Sequence, residues 1–357
     1  VLNKDKQWSH HGFWWFVLLG TSALGIAFAS NTYAAFWHTR DMAVLFLAIC
    51  LPLQSQVTSV KRIRWWVYSF LAVVAYVGAF AATHGGYGPS GAGGGQDENY
   101  VAALMGMAVP FAYFSLFYEK RLFVRLALLG AIVIFVAAIA LGDNPSRGGF
   151  IGLCVVGLYC LARSPRKGLG IGLLVIIGVA LVVVAGPSFW AEIGTTTDYQ
   201  AGTGDIRLEI WKAGLRMWAA NPLFGVGAGN FIWQVGNYQS AAQLAKFGHS
   251  LSGTIIAHSL FVECLAELGL AGAAATAVLV WRNWVGLGAV RREASVKSGD
   301  PQLDTDRLQL RCYSDAIRAS MLAILTNGLF LSLFYYSHLW LLIALGSALP
   351  FVWRRLP

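Results

Sequence analysis

The sequence predicts an all-α polytopic membrane protein with about 10–12 transmembrane helices and one large outer loop that contains amphipathic helices. Hydrophobic residues make up 57% of the 357 residues and charged residues only 12%, which differs strongly from the composition of an average soluble domain. The chain also contains repeated apolar runs close to the roughly 20 residues with which an α-helix crosses a hydrocarbon core. Composition and run length together predict the fold class.

About ten such runs lie between charged breaks. Pro52 and Pro110 fall inside two of them and blur the predicted helix boundaries, because proline removes a backbone hydrogen bond. The predicted spans cover residues 13–29, 41–58, 65–82, 99–117, 122–141, 149–162, 168–187, 259–286, 313–334 and 339–353. The first of them lacks a small-residue cleavage site, which favours a membrane anchor over a cleaved signal peptide.

Basic residues cluster in alternate loops, at 61–64, 119–125, 163–167, 291–311 and 354–355. Lys and Arg near span ends favour the cytoplasmic side, so these loops are predicted to be cytoplasmic. The loops at 83–99, 142–149, 188–258 and 335–338 are then predicted to lie outside. The net charge of +9 follows from this topology, and we do not expect nucleic-acid binding.

Three regions follow from this pattern: N-terminal transmembrane helices over 1–187, a large outer loop over 188–258, and C-terminal transmembrane helices over 259–357. A loop of about seventy residues greatly exceeds a usual helix connection, which indicates function or an embedded subdomain. We expect neither a metal site nor a disulfide. The five cysteines fit no zinc spacing, and the acidic residues of the outer loops are scattered.

An amphipathic helix is predicted within this loop, starting at Gly204-Asp205 and ending at Asn221-Pro222. Its apolar stripe is expected at the membrane surface and consists of Leu208, Trp211, Leu215 and Trp218. Arg207 and Arg216 are candidate substrate-binding residues, because guanidinium groups bind phosphate bidentately. Contact of Arg207 with lipid phosphate is the alternative. The glycines of the following GVGAG segment (225–229) would allow the backbone to approach a bulky ligand closely.

A second candidate site lies at Ser146 and Arg147, where one predicted span ends and the next begins. Free amides at a helix N-terminus attract anions, so this pair is expected to bind a substrate phosphate. The alternative is an arginine that only anchors the helix. Basic flanks are disfavoured on the outer side, which favours the functional interpretation.

The stretch IIAHSLFVECLAELGLAG (255–272) brings polar residues to the outer end of an apolar span. Glu263 and Glu267 share one helix face, and ionisable groups at that depth face the bundle interior or a water-filled cavity. His258 is the candidate general base, since an imidazole titrates near the working pH. His338 is a second outer histidine, a candidate substrate-binding residue and an alternative base. Glu263 is a further candidate for the substrate site.

The segments SRGGF (146–150), RLEIWKAGLRMWAANPLFGVGAGNF (207–231) and AHSLFVECLAELGLAG (257–272) resemble the O-antigen ligase and O-antigen polymerase superfamily. The resemblance implies a GT-C type glycosyltransferase of the bacterial inner membrane, with its active site facing the periplasm and no metal or other cofactor. It implies a glycan donor on undecaprenyl diphosphate and the lipid A core as acceptor, besides membrane lipids. The family's essential arginines and histidine fall on Arg147, Arg207 and His258.

Several functions remain open at the level of the sequence. An O-antigen polymerase would use another lipid-linked repeat as acceptor, and a protein O-oligosaccharyltransferase would use a Ser or Thr hydroxyl. The compact motif loop and the short chain favour the ligase. A transporter of lipid-linked glycans or a structural scaffold is the alternative from another class. No inverted repeat or paired broken helices support a transporter, and nothing in the sequence specifies the glycan or the oligomeric state.

Overall fold

The structure is a computed structural model that describes residues 10–89, 97–141, 146–194 and 203–356. Within these ranges every regular element is helical, which confirms the all-α prediction. The α-helices are α1 (His10–Gly25), α2 (Thr32–Ala43), α3 (Leu51–Gln56), α4 (Val60–Thr83), α5 (Glu98–Ser115), α6 (Leu122–Ala140), α7 (Arg147–Arg163), α8 (Lys167–Val184), α9 (Pro187–Gly194), α10 (Thr203–Ala220), α11 (Phe231–Gln234), α12 (Ala241–Phe247), α13 (Leu260–Glu293), α14 (Pro301–Asn327) and α15 (Ser337–Arg354). A π-helix, Val44–Cys50, joins α2 to α3.

Four of the described helical segments are long and apolar enough to cross a membrane: Thr32–Gln56, Val60–Thr83, Leu122–Ala140 and Leu260–Glu293. Two shorter apolar helical segments cover Gly12–Phe28 and Lys167–Val183. Three other predicted spans coincide with α5, α7 and α15. The span predicted over 313–334 overlaps α14 only in part, because that helix ends at Asn327. The chain is therefore a multi-pass, all-helical membrane protein, and the total of about ten spans stays a prediction.

Helix ends differ from the hydropathy boundaries where a polar side chain caps the helix. The span predicted to begin at 41 begins at Thr32, because the side chain of Asn31 accepts a hydrogen bond from the Ala34 amide at 3.0 Å. The helix that contains the predicted span from 313 begins earlier, at Pro301, after Asp300 caps α14. Capping satisfies the free amides of a first turn regardless of its hydropathy.

The chain divides into two compact units. The first contains Val1–Gln56, Thr203–Val285 and Ser332–Ser347. Its aromatic core brings Trp15, Phe46 and Trp340 together, with ring centroids 4.6–5.7 Å apart. The indole of Trp340 also donates to the carbonyl of Phe334 at 2.8 Å. This buried donor fixes the polypeptide just before α15, since an indole N–H removed from water needs an acceptor.

The second unit contains Val57–Gly202, Gly286–Leu331 and Ala348–Pro357. Almost all of α5 is buried there, and the hydroxyl of Ser320 on α14 donates to the Met107 carbonyl of α5 at 2.6 Å. Arg291 donates to both carboxylate oxygens of the buried Asp315, each at 2.8 Å. The pairing offsets the cost of placing these charges among apolar helices.

Candidate active site

The region from α10 to the start of α13 folds around an apolar core of its own. The buried side chains of this core are Ile210, Ala213, Met217, Val226, Phe231, Val235, Leu251, Ala257 and Ala266. Burial of each Val, Leu, Ile, Phe or Met side chain in this core contributes roughly 1.5–3 kcal/mol relative to exposure. The described part of the large loop is therefore a packed structure that can position functional groups.

The predicted amphipathic helix is present as α10, with ends within one residue of the predicted ones. Its buried face differs from the predicted stripe. Ile210, Ala213 and Met217 are fully buried, whereas Leu215 is 45% exposed. The two tryptophans make the predicted stripe the most apolar face in the sequence. The smaller side chains of the adjacent face are the ones that pack into the protein core. Contact of the predicted stripe with membrane stays a prediction.

A polar network fixes α10 to the following loop. The guanidinium of Arg216 donates to the Tyr238 carbonyl at 2.7 Å and to the side chain of Gln243. Gln243 in turn donates to the carboxylate of Glu209 at 2.7 Å, and Lys212 pairs with the same carboxylate at 2.7 Å. Hydrogen bonds from Lys212 and Gln243 lower the pKa of Glu209. The Arg216 side chain therefore holds the loop in place.

His258 lies two residues before α13 in a strained backbone conformation. Its φ of 47° is the only positive φ of a non-glycine residue in the described ranges. The next residue, Ser259, is buried, and its carbonyl accepts from the Glu263 amide at 2.9 Å. Strained backbone of this kind clusters at functional sites, where the surrounding packing maintains it. The backbone of His258 is thus held in this conformation at the N-terminus of α13.

The face of α10 that carries Arg207 is turned towards this segment. Trp211 lies one turn after Arg207, and its indole N–H donates to the Ala257 carbonyl at 3.1 Å. A Cβ at Gly214, the next position on the same face, would lie 2.5 Å from a side-chain carbon of Val262. Residues at i, i+4 and i+7 share one helix face. The helix of Arg207 is therefore held directly against the segment that contains His258.

The glycines of the GVGAG segment lie in close contact with other parts of the protein. Gly225, Gly227 and Gly229 have φ values of 67°, 94° and 66°. A Cβ at Gly225 would lie 2.3 Å from the backbone of Glu267, and one at Gly229 would lie 1.9 Å from the His38 ring. The sequence suggested that these glycines allow a bulky ligand to approach. In the structure they allow this loop to contact neighbouring elements of the same unit.

This contact coincides with an interruption in α13. Gly269 has φ 61° and ψ −162°, which breaks the helix one turn after the buried carboxylates. The loop before α11 supplies the missing partners: the Val226 amide donates to the Ala266 carbonyl at 3.0 Å, and the Pro222 carbonyl accepts from the Leu270 amide at 2.8 Å. Backbone groups exposed by the interruption are therefore satisfied.

Glu267 connects three segments of the first unit. Its carboxylate accepts the amide N–H of Gly229 at 2.7 Å and that of Phe231 at 2.8 Å. The hydroxyl of Tyr335, in the loop before α15, donates to the same carboxylate. Glu267 is only 2% exposed, and charge-assisted hydrogen bonds of this kind offset the desolvation of a carboxylate. Glu267 therefore stabilises the packing of these segments.

Glu263 and His338 lie near the same loop. Glu263 is 8% exposed, and its carboxylate accepts the Phe334 amide at 3.2 Å. His338 is half-buried in the first turn of α15, with its ring centroid 6.3 Å from that of Tyr336. Glu263 and Glu267 are thus both buried, in agreement with their predicted depth.

Two residues of this region were missed by sequence reasoning. Nothing in the sequence placed Tyr335 in the site, yet its hydroxyl contacts Glu267. Asn230 is fully buried, and its side-chain oxygen accepts from the Asn31 amide at 2.9 Å. The available signal was an asparagine directly after three closely spaced glycines. The side-chain amide of an asparagine can hydrogen-bond to the backbone of a neighbouring segment.

Ser146 and Arg147 belong to the second unit and are described on their own. The hydroxyl of Ser146, which is 3% exposed, accepts from the Gly149 amide at 3.0 Å and so caps α7. Arg147 is the first residue of α7 and is half-buried. The helix dipole and the arginine place positive electrostatic potential at this end of α7, where the Ser146 oxygen already satisfies one amide. Groups of three or more metal-ligating side chains are absent from the residues that the structure describes.

A known protein family matches the part of the chain that contains these residues. Residues 133–277 match the model of the O-antigen ligase family. The resemblance to the O-antigen ligase and polymerase superfamily is confirmed. The match includes Arg147, Arg207 and His258, and it indicates a membrane enzyme of the ligase or glycosyltransferase type.

A solved structure shows a similar fold over nearly the whole chain. It is a chain from the work described as "Structural coordination of polymerization and crosslinking by a peptidoglycan synthase complex", with a TM-score of 0.50 and 16% sequence identity. The similarity covers 97% of this chain and 97% of that chain. No curated protein matches the sequence. At this identity the structural likeness shows the fold alone, so the family match is the stronger guide to function.

Proposed function

We propose that this chain is a periplasm-facing glycosyltransferase of the bacterial inner membrane. It transfers O-antigen polysaccharide from undecaprenyl diphosphate to the lipid A core oligosaccharide. The hydrogen bond from Trp211 Nε1 to the Ala257 carbonyl, 3.1 Å long, carries the proposal. It joins the helix of Arg207 to the segment of His258 within the region that matches the family model.

Arg207 is proposed to bind the diphosphate of the donor. The bond between the anomeric carbon and the phosphate oxygen breaks during transfer, and the departing diphosphate gains negative charge. A guanidinium that donates two parallel hydrogen bonds stabilises this charge, and fixed donors of this type contribute several kcal/mol, about 2.7–4 kcal/mol for one donor. This role requires no metal.

His258 is proposed as the general base. Its neutral imidazole accepts the proton of an acceptor sugar hydroxyl while the hydroxyl oxygen forms a bond to the anomeric carbon of the donor. The diphosphate leaves with the electron pair of the broken bond, and the configuration at that carbon inverts. The rigid backbone at φ 47° supports this role, since a base contributes roughly 10²–10⁴-fold only when it is well placed.

The other candidate residues have different proposed roles. Arg216 and Glu263 bind groups within the protein, so we assign them to supporting the site. Arg147, beside the Ser146 cap, is proposed to bind phosphate at the N-terminus of α7. His338 remains an alternative base, and its substitution is a necessary comparison for His258.

Gene deletion separates ligase from polymerase. We expect lipopolysaccharide to lose its whole O-antigen ladder on gels while free undecaprenyl-linked polymer is retained. Retention of a single O-antigen repeat on the core would instead indicate a polymerase. An unchanged ladder would contradict both functions.

Purified full-length protein with lipid-linked glycan and lipid A core tests the residues. We expect His258→Asn to lower transfer by roughly 10²–10⁴-fold, since asparagine tolerates positive φ but provides no base. Arg207→Gln is expected to lower transfer by at least about 10²-fold. The matched control is Arg292→Gln, an exposed arginine at the other end of α13. Undiminished transfer by His258→Asn, or absence of product from the wild type, would overturn the proposal and favour a transporter or scaffold.

A further inference from the structure

A cavity of about 620 Å³ lies in the second unit, away from all the residues assigned above. It is lined by five basic side chains, Lys61, Arg64, Lys120, Arg121 and Arg355, and by two acidic ones, Glu119 and Asp306. The basic residues come from loops that the distribution of Lys and Arg predicts to be cytoplasmic. The lining therefore carries an excess of three positive charges.

Part of this charge is already neutralised inside the protein. Arg121 pairs with Glu119 at 3.1 Å. Partial burial would raise the pKa of Glu119, but hydrogen bonds from Arg121 and Tyr68 outweigh it and lower the pKa to about 2. Among the described residues, Lys61 and Arg355 form no ion pair. Arg64 interacts electrostatically with Asp306 across the cavity. The cations still outnumber the carboxylates, which favours an anionic ligand.

Helix ends add to the positive potential. The N-terminal residues of α4, Val60 and Lys61, line the cavity, and so does Arg121, which precedes α6. No side chain caps the first turn of α6. Ser59 accepts from the Arg62 amide and so caps α4. The dipoles of both helices and the free amides of α6 therefore favour bound phosphate. Because α4 and α6 are long and apolar enough to cross a membrane, the cavity lies where their spans begin.

A buried polar atom also points to a ligand. Gln309 lines the cavity and is 5% exposed, and its side-chain carbonyl oxygen has no hydrogen-bond partner within the described chain. A buried acceptor without a donor is unfavourable, so a ligand hydroxyl that donates to this oxygen is favourable. The cavity thus combines cations and helix amides for a phosphate with one acceptor for a hydroxyl.

We propose that this cavity binds a phosphate ester that carries a hydroxyl group, presented by the headgroup of an anionic phospholipid or by a soluble ester. Basic pockets between transmembrane helices on the cytoplasmic side bind anionic headgroups, and a volume of about 620 Å³ accommodates a headgroup larger than phosphate. The site is independent of the proposed transfer reaction and of Arg207 and His258.

Native mass spectrometry of the full-length protein in detergent tests the site. We expect short-chain phosphatidylglycerol to bind at least about tenfold more tightly than phosphatidylcholine, whose headgroup has no net charge. Arg64→Gln is expected to weaken phosphatidylglycerol binding by at least about tenfold, since it removes one charge-assisted contact. Arg62→Gln is the matched control, because Arg62 is exposed on the same helix turn and does not line the cavity.

Glycerol 3-phosphate distinguishes the two sources of the ester. Binding of this soluble ester as tight as that of phosphatidylglycerol supports a soluble ligand, whereas a clear preference for the lipid supports a headgroup. The wild type is expected to bind phosphatidylglycerol more tightly than phosphatidic acid, which lacks the headgroup hydroxyls. Gln309→Leu is expected to remove this difference in binding. Equal binding of phosphatidylglycerol and phosphatidylcholine, or an equal effect of Arg62→Gln and Arg64→Gln, would overturn the proposal.

Discussion

Glu267 and Glu263 differ in how many backbone hydrogen bonds hold their carboxylates. Both are buried on one face of α13, but Glu267 receives hydrogen bonds on both carboxylate oxygens from backbone amides. Glu263 accepts one amide, from Phe334, at 3.2 Å. Two backbone donors on opposite oxygens fix the carboxylate and require that both atoms be acceptors.

Glu267→Gln is therefore expected to destabilise the protein more than Glu263→Gln. A glutamine at 267 must direct its NH2 group towards one of the two backbone amides, so one buried donor loses its acceptor at a cost of roughly 1–3 kcal/mol. Glutamine at 263 can keep its carbonyl oxygen towards Phe334. Thermal unfolding of the purified variants in the same detergent measures the difference, and an equal midpoint temperature for both variants would contradict this assignment.

The sequence predicted where these carboxylates lie but did not predict their partners. Helical spacing and the cost of charge in lipid placed both at the inner side of the bundle. The partners are 36, 38 and 68 residues away in the chain. Hydropathy and periodicity carry no information about such distant pairs, so the role of Tyr335 required the structure.

At the scale of elements, Trp211 and Trp218 provide a matched pair on α10. The indole N–H of Trp211 donates to the Ala257 carbonyl, whereas that of Trp218 has no hydrogen-bond partner in the part of the chain that the structure describes. Trp211→Phe is expected to lower kcat/KM about tenfold or more, because it releases the segment of His258 from α10. Trp218→Phe removes no such bond and is expected to keep the wild-type rate. Equal rates in both variants would show that this hydrogen bond does not position the site.

The glycine loop provides a second pair of variants. Gly225→Ala is expected to impair folding, since φ is 67° and the new Cβ would lie 2.3 Å from the Glu267 backbone. Gly130→Ala, inside α6, meets no atom within 4 Å and is expected to be neutral or stabilising by up to about 1 kcal/mol. The yield of monodisperse protein and its unfolding temperature measure both effects. A Gly225→Ala variant as stable as the wild type would contradict the close contact.

Elements were predicted with different success for physical reasons. The ends of α10 were found because Gly204-Asp205 and Asn221-Pro222 are local signals that act within one turn. The sequence did not predict the face that packs into the protein core, since the choice between adjacent faces depends on what the loop packs against. The glycines were predicted to let a ligand approach the backbone, whereas the structure shows that at Gly225 the approaching element is α13.

At the scale of the whole molecule, hydropathy predicted the fold class. It did not predict which segments, distant in sequence, form one compact unit. The first compact unit draws on residues near 1–56, 203–285 and 332–347, which are far apart in sequence. Apolar periodicity identifies each helix separately and does not encode which helices pack together. Membrane orientation, in contrast, follows from charge alone and is directly testable.

The predicted topology places Thr254 in the periplasm and Val296 in the cytoplasm, and both residues are exposed. Of the five native cysteines, only Cys154 is exposed, so Cys154→Ala removes the accessible thiol and leaves the buried ones intact. In this background, a membrane-impermeant maleimide is expected to label Thr254→Cys in cells with a permeabilised outer membrane. Val296→Cys should react only after the inner membrane is opened, because the basic cluster at 291–311 holds that loop inside. The reverse labelling pattern would invert the topology and place Arg207 and His258 on the cytoplasmic side, where the proposed reaction with a periplasmic acceptor is impossible.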